Sequence, residues 1–148
     1  MLRHFAAPWE HTIEIMHIRG FHHLAIQVRS VEETAAWYER VLGLTEVQRH
    51  HRPDGSLRSI WLEVPGTLGG FLALEETTSE PARDDFRTDR PGPLLLALRI
   101  DPEERASAVA ELDRLGVPVV HQTRWTAYFR DPEGNRIALS HHPEDPMH

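Results

Sequence analysis

Four polar side chains on strand-like stretches of the sequence could do chemistry, namely His23, Gln27, Glu75 and Arg99. The imidazole of His23 can act as a general base or as a metal ligand. Glu75 offers the carboxylate that could join His23 on a metal ion. Arg99 can bind a carboxylate or phosphate through two parallel hydrogen bonds, or can pair with Glu75 inside the protein. The sequence contains no cysteine and no lysine, and we find no nucleophile–base–orienter set, so catalysis stays an open question.

Alternation and capping signals predict the elements that position these residues in the first half. Apolar residues alternate along 21–28, which predicts a strand with His23, Ala25 and Gln27 on the face opposite the apolar set. Ser30 and Glu33 have the spacing of a capping box, so we predict a helix that Gly43 ends. The predicted helix spans 31–42, and the strands that follow it span 46–51, 57–64 and 71–75.

The same order of elements restarts after a polar, proline-rich stretch, which we interpret as a linker at 77–93. A strand is predicted first, and then Asp101 and Pro102 supply the N-cap and first residue of a helix that Gly116 ends. The predicted strands of this half span 94–100, 117–121, 125–130 and 136–141. A repeat of this kind predicts an α+β fold of two tandem βαβββ modules that form a shared cavity. Module one covers about 20–76 and module two covers 94–142.

Three stretches of the sequence are distinctive beside the repeat, and they read FHHLAIQV at 21–28, AWYERVLGL at 36–44 and YFRDPEGNRI at 128–137. In these stretches the chain resembles the vicinal-oxygen-chelate family, which includes glyoxalases, bleomycin-binding proteins, extradiol dioxygenases and fosfomycin-inactivating enzymes. The resemblance covers about 20–142 and implies a glyoxalase-like fold. It also implies a homodimer, with the cavity formed either within one chain or between two. One fold hosts many chemistries, so the resemblance specifies fold more closely than activity.

Metal-dependent members of that family draw one ligand from the first and last strand of each module. The resemblance places these four positions at His23, Ala73, Leu95 and Ala138. Alanine and leucine have no donor atom, so we expect no metal cofactor at the usual site. The alternative is a divergent metal-dependent lyase, isomerase or dioxygenase that holds one divalent ion with His23 and Glu75.

Apolar side chains at the ligand positions predict a roomy, largely apolar pocket with a few polar groups, which is the usual form of a small-molecule site. We therefore favour a metal-free binding protein of the glyoxalase/bleomycin-resistance type that holds an aromatic or amphipathic metabolite or antibiotic. The enzymatic alternative without metal uses His23 as general base. Arg99 is expected beside the apolar wall, where it needs Glu75 or an anionic ligand as partner. The predicted ligand-binding residues are His23, Gln27, Phe71, Ala73, Glu75, Leu95, Arg99, Trp125 and Ala138.

Six of the eleven histidines occur as adjacent pairs, at 22–23, 50–51 and 141–142. Neighbours on a strand point to opposite faces, so we predict that no such pair chelates one ion. Accordingly, His51, His121, His141 and His142 are interpreted as surface or rim residues.

Composition narrows the partners and the compartment. The formal net charge of −7 argues against a nucleic-acid partner, which favours a basic surface. No apolar stretch approaches the roughly 20 residues that span a bilayer, so we expect no membrane contact. The first residues lack the apolar core of a signal peptide, and we expect a cytoplasmic protein. We divide the chain into an extension at 1–19, a single domain at 20–142 and a tail at 143–148. Residues 1–15 are interpreted either as a true extension or as the result of a misplaced start codon.

Overall fold

The computed structural model describes residues 16–78 and 93–147, and each range folds as one βαβββ module. The N-terminal segment 1–15 and most of the predicted linker lie outside the described residues. Module one comprises β1 His23–Val28, α1 Val31–Leu42, β2 Thr45–His51, β3 Leu57–Glu63 and β4 Phe71–Glu76. Module two comprises β5 Leu96–Arg99, a 3-10 turn at Pro102–Glu104, α2 Arg105–Arg114, β6 His121–Gln122, β7 Thr126–Arg130 and β8 Arg136–Ser140.

The two modules have the same sheet topology. The strand order is β1-β4-β3-β2 in module one and β5-β8-β7-β6 in module two, and the two sheets stay separate. The first and last strands of each module are parallel neighbours, and their registers pair Ala25 with Ala73 and Ala97 with Ala138. The predicted repeat is therefore confirmed down to equivalent residues, and so is the predicted α+β fold.

The first helix has the ends that the sequence predicts. The Ser30 hydroxyl accepts a hydrogen bond from the Glu33 amide at 3.3 Å, and Gly43 ends the helix in the left-handed conformation at φ 66°. The second helix differs, because the Asp101 side chain makes no capping hydrogen bond. The Glu104 amide donates instead to the Asp101 carbonyl at 3.0 Å, so the first turn is a 3-10 turn and α2 begins after it. Asp101 is the N-cap and Pro102 the first residue, as predicted, but the N-cap contributes its carbonyl and not its side chain.

The predicted strand at 117–121 is also wrong in extent, because β6 contains just His121 and Gln122. The Val117 amide donates to the Leu112 carbonyl at 2.9 Å, which keeps this residue in the helix end. Pro118 has no amide hydrogen to give to a neighbouring strand. The strand β6 therefore begins at His121 and not at 117.

A single hydrophobic core joins both modules, and α1 lies at its centre. Val31 and Ala35 of α1 are buried, and they share this core with the apolar faces of both sheets, including Leu72 of module one and Ile137 of module two. On its other side α1 contacts module two, where the rings of Trp37 and Phe129 have centroids 6.2 Å apart. Because both sheets turn their apolar faces into one core, the opposite face of each sheet lies outside that core.

A buried polar contact fixes how α1 meets module two. The Tyr38 hydroxyl donates to the Asp131 carboxylate at 2.8 Å, and both residues are buried. Burial raises the pKa of Tyr38 well above its ordinary value, and burial also raises the pKa of Asp131 despite the hydrogen bonds that the carboxylate accepts. At the surface beside this pair, Arg29 and Glu133 form a salt bridge at 3.1 Å. These contacts hold the outward faces in their orientation.

The placement of the two modules determines where a cavity can form. The sequence predicted a cavity shared by the modules and left open whether one chain or two would build it. Two cavities lie between the modules of one chain. One of about 570 Å³ is lined by residues that include Leu44, Thr67 and Arg99. The other, of about 140 Å³, is lined by residues that include Leu24, Tyr38 and Leu95. None of the described helices is both long and apolar enough to span a membrane.

Candidate functional site

The outward face of the module-one sheet, here called the outer face of module one, carries most of the predicted ligand-binding residues. Strand register arranges them in three rows across β1, β4 and β3. The rows are His23–Phe71–Glu63, Ala25–Ala73–Trp61 and Gln27–Glu75–Ser59. The alternation in the sequence thus assigned these residues to the correct face. Along β1 and β4 the residues change from aromatic rings, His23 and Phe71, through two alanines to the polar pair Gln27 and Glu75.

Four rings cross all four strands of this sheet, and we call them the aromatic column: His23, Phe71, Trp61 and His50. The ring centroids of His23 and Phe71 are 4.8 Å apart with an interplanar angle of 3°. Phe71 and Trp61 stack at 4.3 Å and 18°, and Trp61 contacts His50 at 4.5 Å. Stacked aromatic pairs of this kind are worth about 0.5–1.5 kcal/mol each beyond their buried area.

Sequence reasoning missed two members of the aromatic column. Neither Trp61 nor His50 is among the ligand-binding residues that the sequence predicts. Trp61 is partly exposed, and its partner in the register is Ala73 on the outward face. Strand alternation could have assigned Trp61 to the outward face, because its two apolar neighbours, Ile60 and Leu62, belong on the opposite face. Both of these neighbours are fully buried there. The side-chain nitrogens Nε2 of His50 and Nε1 of Trp61 are buried and have no hydrogen-bond partner in the described structure.

The polar row has a defined hydrogen-bond arrangement. The Ser59 hydroxyl, which is fully buried, donates to the Glu75 carboxylate at 3.0 Å. The Arg58 guanidinium lies 3.9 Å from the same carboxylate. Gln27 is exposed and lies opposite Glu75 in the register. Glu75 therefore presents acceptor oxygens beside an amide at one end of the outer face.

Arg99 does not lie where the sequence predicted. Its side chain is 73% exposed, and its carboxylate partner is Glu144 at 3.5 Å, not Glu75. The prediction of a guanidinium beside a buried apolar wall is wrong, because the side chain of Arg99 is largely exposed, at the edge of the cavity that Leu44 and Thr67 of module one also line. Ala97 and Ala138 share this face with Arg99, as predicted. Tyr128 lies opposite Ala138 in the register.

Leu95 and Trp125 do not join that face in the way we expected. Leu95 precedes β5 and contributes to the small cavity between the modules. Trp125 precedes β7, and its ring packs edge-on against His142 at 4.7 Å. The Arg124 guanidinium covers the ring of Trp125 at 5.3 Å. The structure therefore does not bring Trp125 to the outer face of module one.

The adjacent histidines also depart from expectation in two places. His22 and His23 do not point apart, because His22 lies before β1 begins, and their Nδ1 atoms are 2.8 Å apart. His141 is not a surface residue. It is 2% exposed, and its Nδ1 lies 2.5 Å from the Glu144 carbonyl. His51, His121 and His142 are exposed, as predicted.

The four family positions do not fit a conventional metal centre. Of these positions His23 alone has a donor atom, since Ala73, Leu95 and Ala138 have none. The alternative pair also fails, because Glu75 lies opposite Gln27, four residues along β1 from His23. Four residues of a strand span about 13 Å, which is too far for His23 and Glu75 to share an ion. Within 16–78 and 93–147, no three His, Asp or Glu side chains converge on one point.

Comparison with known proteins gives a consistent family and fold. A sequence model of the Glyoxalase/Bleomycin resistance protein/Dioxygenase superfamily matches residues 20–139. No curated protein sequence matches the chain significantly. A solved structure of a glyoxalase/dioxygenase from Nostoc punctiforme is similar, with a TM-score of 0.70 and 21% identity over 97% of this chain and 100% of that one.

Two further solved structures share the architecture. The fosfomycin resistance protein FosX from Listeria monocytogenes, complexed with Mn(II) and sulfate, has a TM-score of 0.65 and 18% identity over 83% of this chain and 92% of that one. An integron cassette protein from the mobile metagenome of the Halifax Harbour sewage outfall has a TM-score of 0.64 and 19% identity over 83% of this chain and 98% of that one. At these identities the likeness extends to the fold alone.

Proposed function

This chain belongs to the Glyoxalase/Bleomycin resistance protein/Dioxygenase superfamily, and we propose that it is a metal-free small-molecule-binding protein. Its ligand is an aromatic or amphipathic metabolite or antibiotic that lies on the outer face of module one. The observation that carries this proposal is the aromatic column, which crosses an entire sheet on the face that does not pack in the core. Contiguous apolar surface of this kind marks interaction sites in monomeric proteins.

The three rows of the outer face suit an amphipathic molecule. Ala25 and Ala73 form a flat floor in the middle row, and Trp61 and Phe71 border it. An apolar ring system can lie on this floor in contact with their edges. At the polar end, Glu75 accepts hydrogen bonds and the side-chain amide of Gln27 can donate or accept them. A ligand with an apolar body and a hydroxyl or amine at one end therefore matches the face.

We propose that a second copy of the chain closes the cavity. His23, Ala25 and Gln27 are exposed in the single chain, so the outer face of module one lacks an opposite wall. The outward face of module two has complementary charge, because it carries Arg99, Arg130 and Arg136, whereas the outer face of module one carries Glu63 and Glu75. Opposite charges on facing surfaces favour correct pairing of the two copies. In the resulting homodimer, each cavity combines module one of one copy with module two of the other.

A ligand screen by thermal shift in the presence of EDTA tests this function. The library contains planar aromatic compounds and amphipathic antibiotics, each with a matched neutral or charged derivative. Ligand at 100 times its dissociation constant stabilises the protein by about 2.7 kcal/mol, which raises the melting temperature by roughly 5–10 °C for a domain of this size. We expect such shifts in EDTA, with no further gain on replacing EDTA by Mn²⁺.

Two tryptophan variants provide a matched pair for any compound found. Trp61→Leu removes the centre of the aromatic column, so we expect it to weaken binding at least about tenfold. Trp125→Leu removes a ring of the same kind that packs on His142, so binding should change little. The proposal is refuted if ligands bind Trp61→Leu as well as they bind the natural chain, or if binding strictly requires a metal ion.

A further inference from the structure

Two imidazoles converge at the β1 end of the aromatic column. The Nδ1 atoms of His22 and His23 are 2.8 Å apart, and both side chains are exposed. We propose that His22 and His23 form a two-nitrogen binding site for a divalent copper or nickel ion. The ion binds through the two Nδ1 atoms, and its remaining coordination positions face solvent.

The local backbone and Phe71 explain why these rings converge although they are sequence neighbours. His22 precedes β1, so the opposite-face rule for strand neighbours does not apply to it. The Phe71 amide donates to the His22 carbonyl at 3.4 Å, which ties His22 to the first residue of β4. The ring of Phe71 lies flat against His23 and edge-on to His22, with centroids 4.8 Å and 5.7 Å away. Both imidazoles are thus ordered by one phenyl ring.

Two imidazole nitrogens at this distance form a hydrogen bond when one of them carries a proton. When neither carries a proton, their lone pairs face each other and repel, and when both carry one, two donors face each other. A single shared proton satisfies the pair, and a cation that accepts both lone pairs satisfies it equally. A divalent cation can therefore take the place of the shared proton, with both nitrogens as its ligands.

The separation of the nitrogens selects among metals. With bonds of about 2.0–2.1 Å, two nitrogens lie about 2.9 Å apart at a right angle and about 3.3 Å apart at the tetrahedral angle. The observed 2.8 Å matches the right angle. Square-planar and tetragonal coordination with right angles is typical of Cu²⁺ and Ni²⁺, and imidazole nitrogen suits both ions. Zn²⁺ prefers the wider tetrahedral angle and fits less well.

This site differs from the family's four-position metal centre. It uses His22, which is not one of those positions, and it needs no ligand from Ala73, Leu95 or Ala138. Two protein ligands hold an ion less tightly than three or four, so we expect the ion to be absent after purification and to bind when added. The inference goes beyond the proposed function, because ligand binding in EDTA does not depend on it.

Titration of the full chain with Cu²⁺ tests the proposal, with isothermal calorimetry for affinity and electron paramagnetic resonance for the number of bound nitrogens. We expect one equivalent whose spectrum shows two imidazole nitrogens. His22→Ala and His23→Ala should each weaken this equivalent at least about tenfold and reduce the count to one nitrogen. Both residues are exposed, and circular dichroism of each variant verifies that the fold is retained.

The chain supplies a matched control in its second adjacent pair. His50 contacts Trp61 at 4.5 Å, whereas its neighbour His51 is exposed, so these two rings do not converge. The double variant His50→Ala/His51→Ala should bind Cu²⁺ as the natural chain does. The proposal is overturned if either single variant at 22 or 23 keeps full affinity and a two-nitrogen spectrum, or if the double variant at 50 and 51 loses the site equally.

Discussion

Replacing Tyr38 by Phe removes one hydrogen bond at the junction of the modules and leaves the ring in place. Tyr38 is fully buried, and its hydroxyl donates to Asp131 at 2.8 Å, where the carboxylate is 5% exposed. Hydrogen bonds to charged groups contribute about 1.5–3 kcal/mol, and the buried carboxylate cannot regain the lost donor from bulk water. We expect the free energy of unfolding of Tyr38→Phe to fall by about 2 kcal/mol at pH 7. The melting temperature should fall by roughly 4–8 °C.

The pH dependence of this loss identifies Asp131 as the partner. Burial raises the pKa of Asp131 in the folded chain, and the hydrogen bond from Tyr38 lowers it, so the variant raises it further. A raised folded-state pKa means that this carboxyl favours folding most below its unfolded pKa, and that contribution is lost as the pH rises through the folded pKa. Removal of the Tyr38 hydroxyl therefore costs more free energy of unfolding when the Asp131 carboxyl is ionised than when it is neutral. The difference between variant and natural chain should be largest at pH 7 and should shrink towards pH 4.

Urea unfolding at pH 7 and pH 4 measures both effects. Tyr128→Phe is the matched control, because Tyr128 is the other tyrosine of the chain and its hydroxyl makes no hydrogen bond with the residues that the structure describes. It should change the free energy of unfolding by less than about 0.5 kcal/mol. A loss in Tyr38→Phe that matches this control, or that is equal at both pH values, would refute the reasoning.

Four further expectations follow from the structure and the proposed function. Light scattering at micromolar concentration should give the mass of a dimer, and a monomer mass would contradict the composite cavity. Protein purified without chelator should carry well under one equivalent of Zn, Ni, Mn, Fe or Co by elemental analysis; stoichiometric metal that is lost together with activity in His23→Ala would contradict this. Gly70→Ala should destabilise by about 1–3 kcal/mol in urea unfolding, because its new Cβ would lie 2.6 Å from the Thr67 hydroxyl oxygen. Arg99→Met should stay within about 0.5 kcal/mol of the natural chain by the same measurement, because Arg99 is exposed and its pair with Glu144 is weak.

The sequence predicted the faces of the strands well, because alternation depends on local geometry. His23, Ala25 and Gln27 share the outward face of β1, and the register places Ala73 and Glu75 beside them. Local rules failed where a strand had not yet begun or could not pair. His22 lies outside β1, so alternation gave the wrong side for its ring. Pro118 removed a ladder donor from a stretch whose apolar residues otherwise resemble a strand.

Local sequence patterns such as strand alternation could not predict how the two modules are placed relative to each other. Alternation states which side chains share a face, and it does not state what lies opposite that face. One signal did exist in α1, where Trp37 falls outside the stripe formed by Val31, Ala35 and Tyr38 and is nevertheless buried. A helix that packs on one sheet needs a narrower apolar arc than this. The wide arc shows that α1 has a second partner, which is Phe129 of module two.

The aromatic column and the missing metal ligand occupy the same part of the outer face. Ala73 lies between Ala25 and Trp61 in the register, and it is 2% exposed although it is on an outward face. The stacked rings of Phe71 and Trp61 lie beside it, which leaves room for a methyl group. A histidine or glutamate at 73 would need the space that the Trp61 ring fills, so a metal ligand here and this column are alternatives. The small residue at 73 therefore fits the aromatic face on which the proposed function rests, and its side chain offers no ligand to a metal.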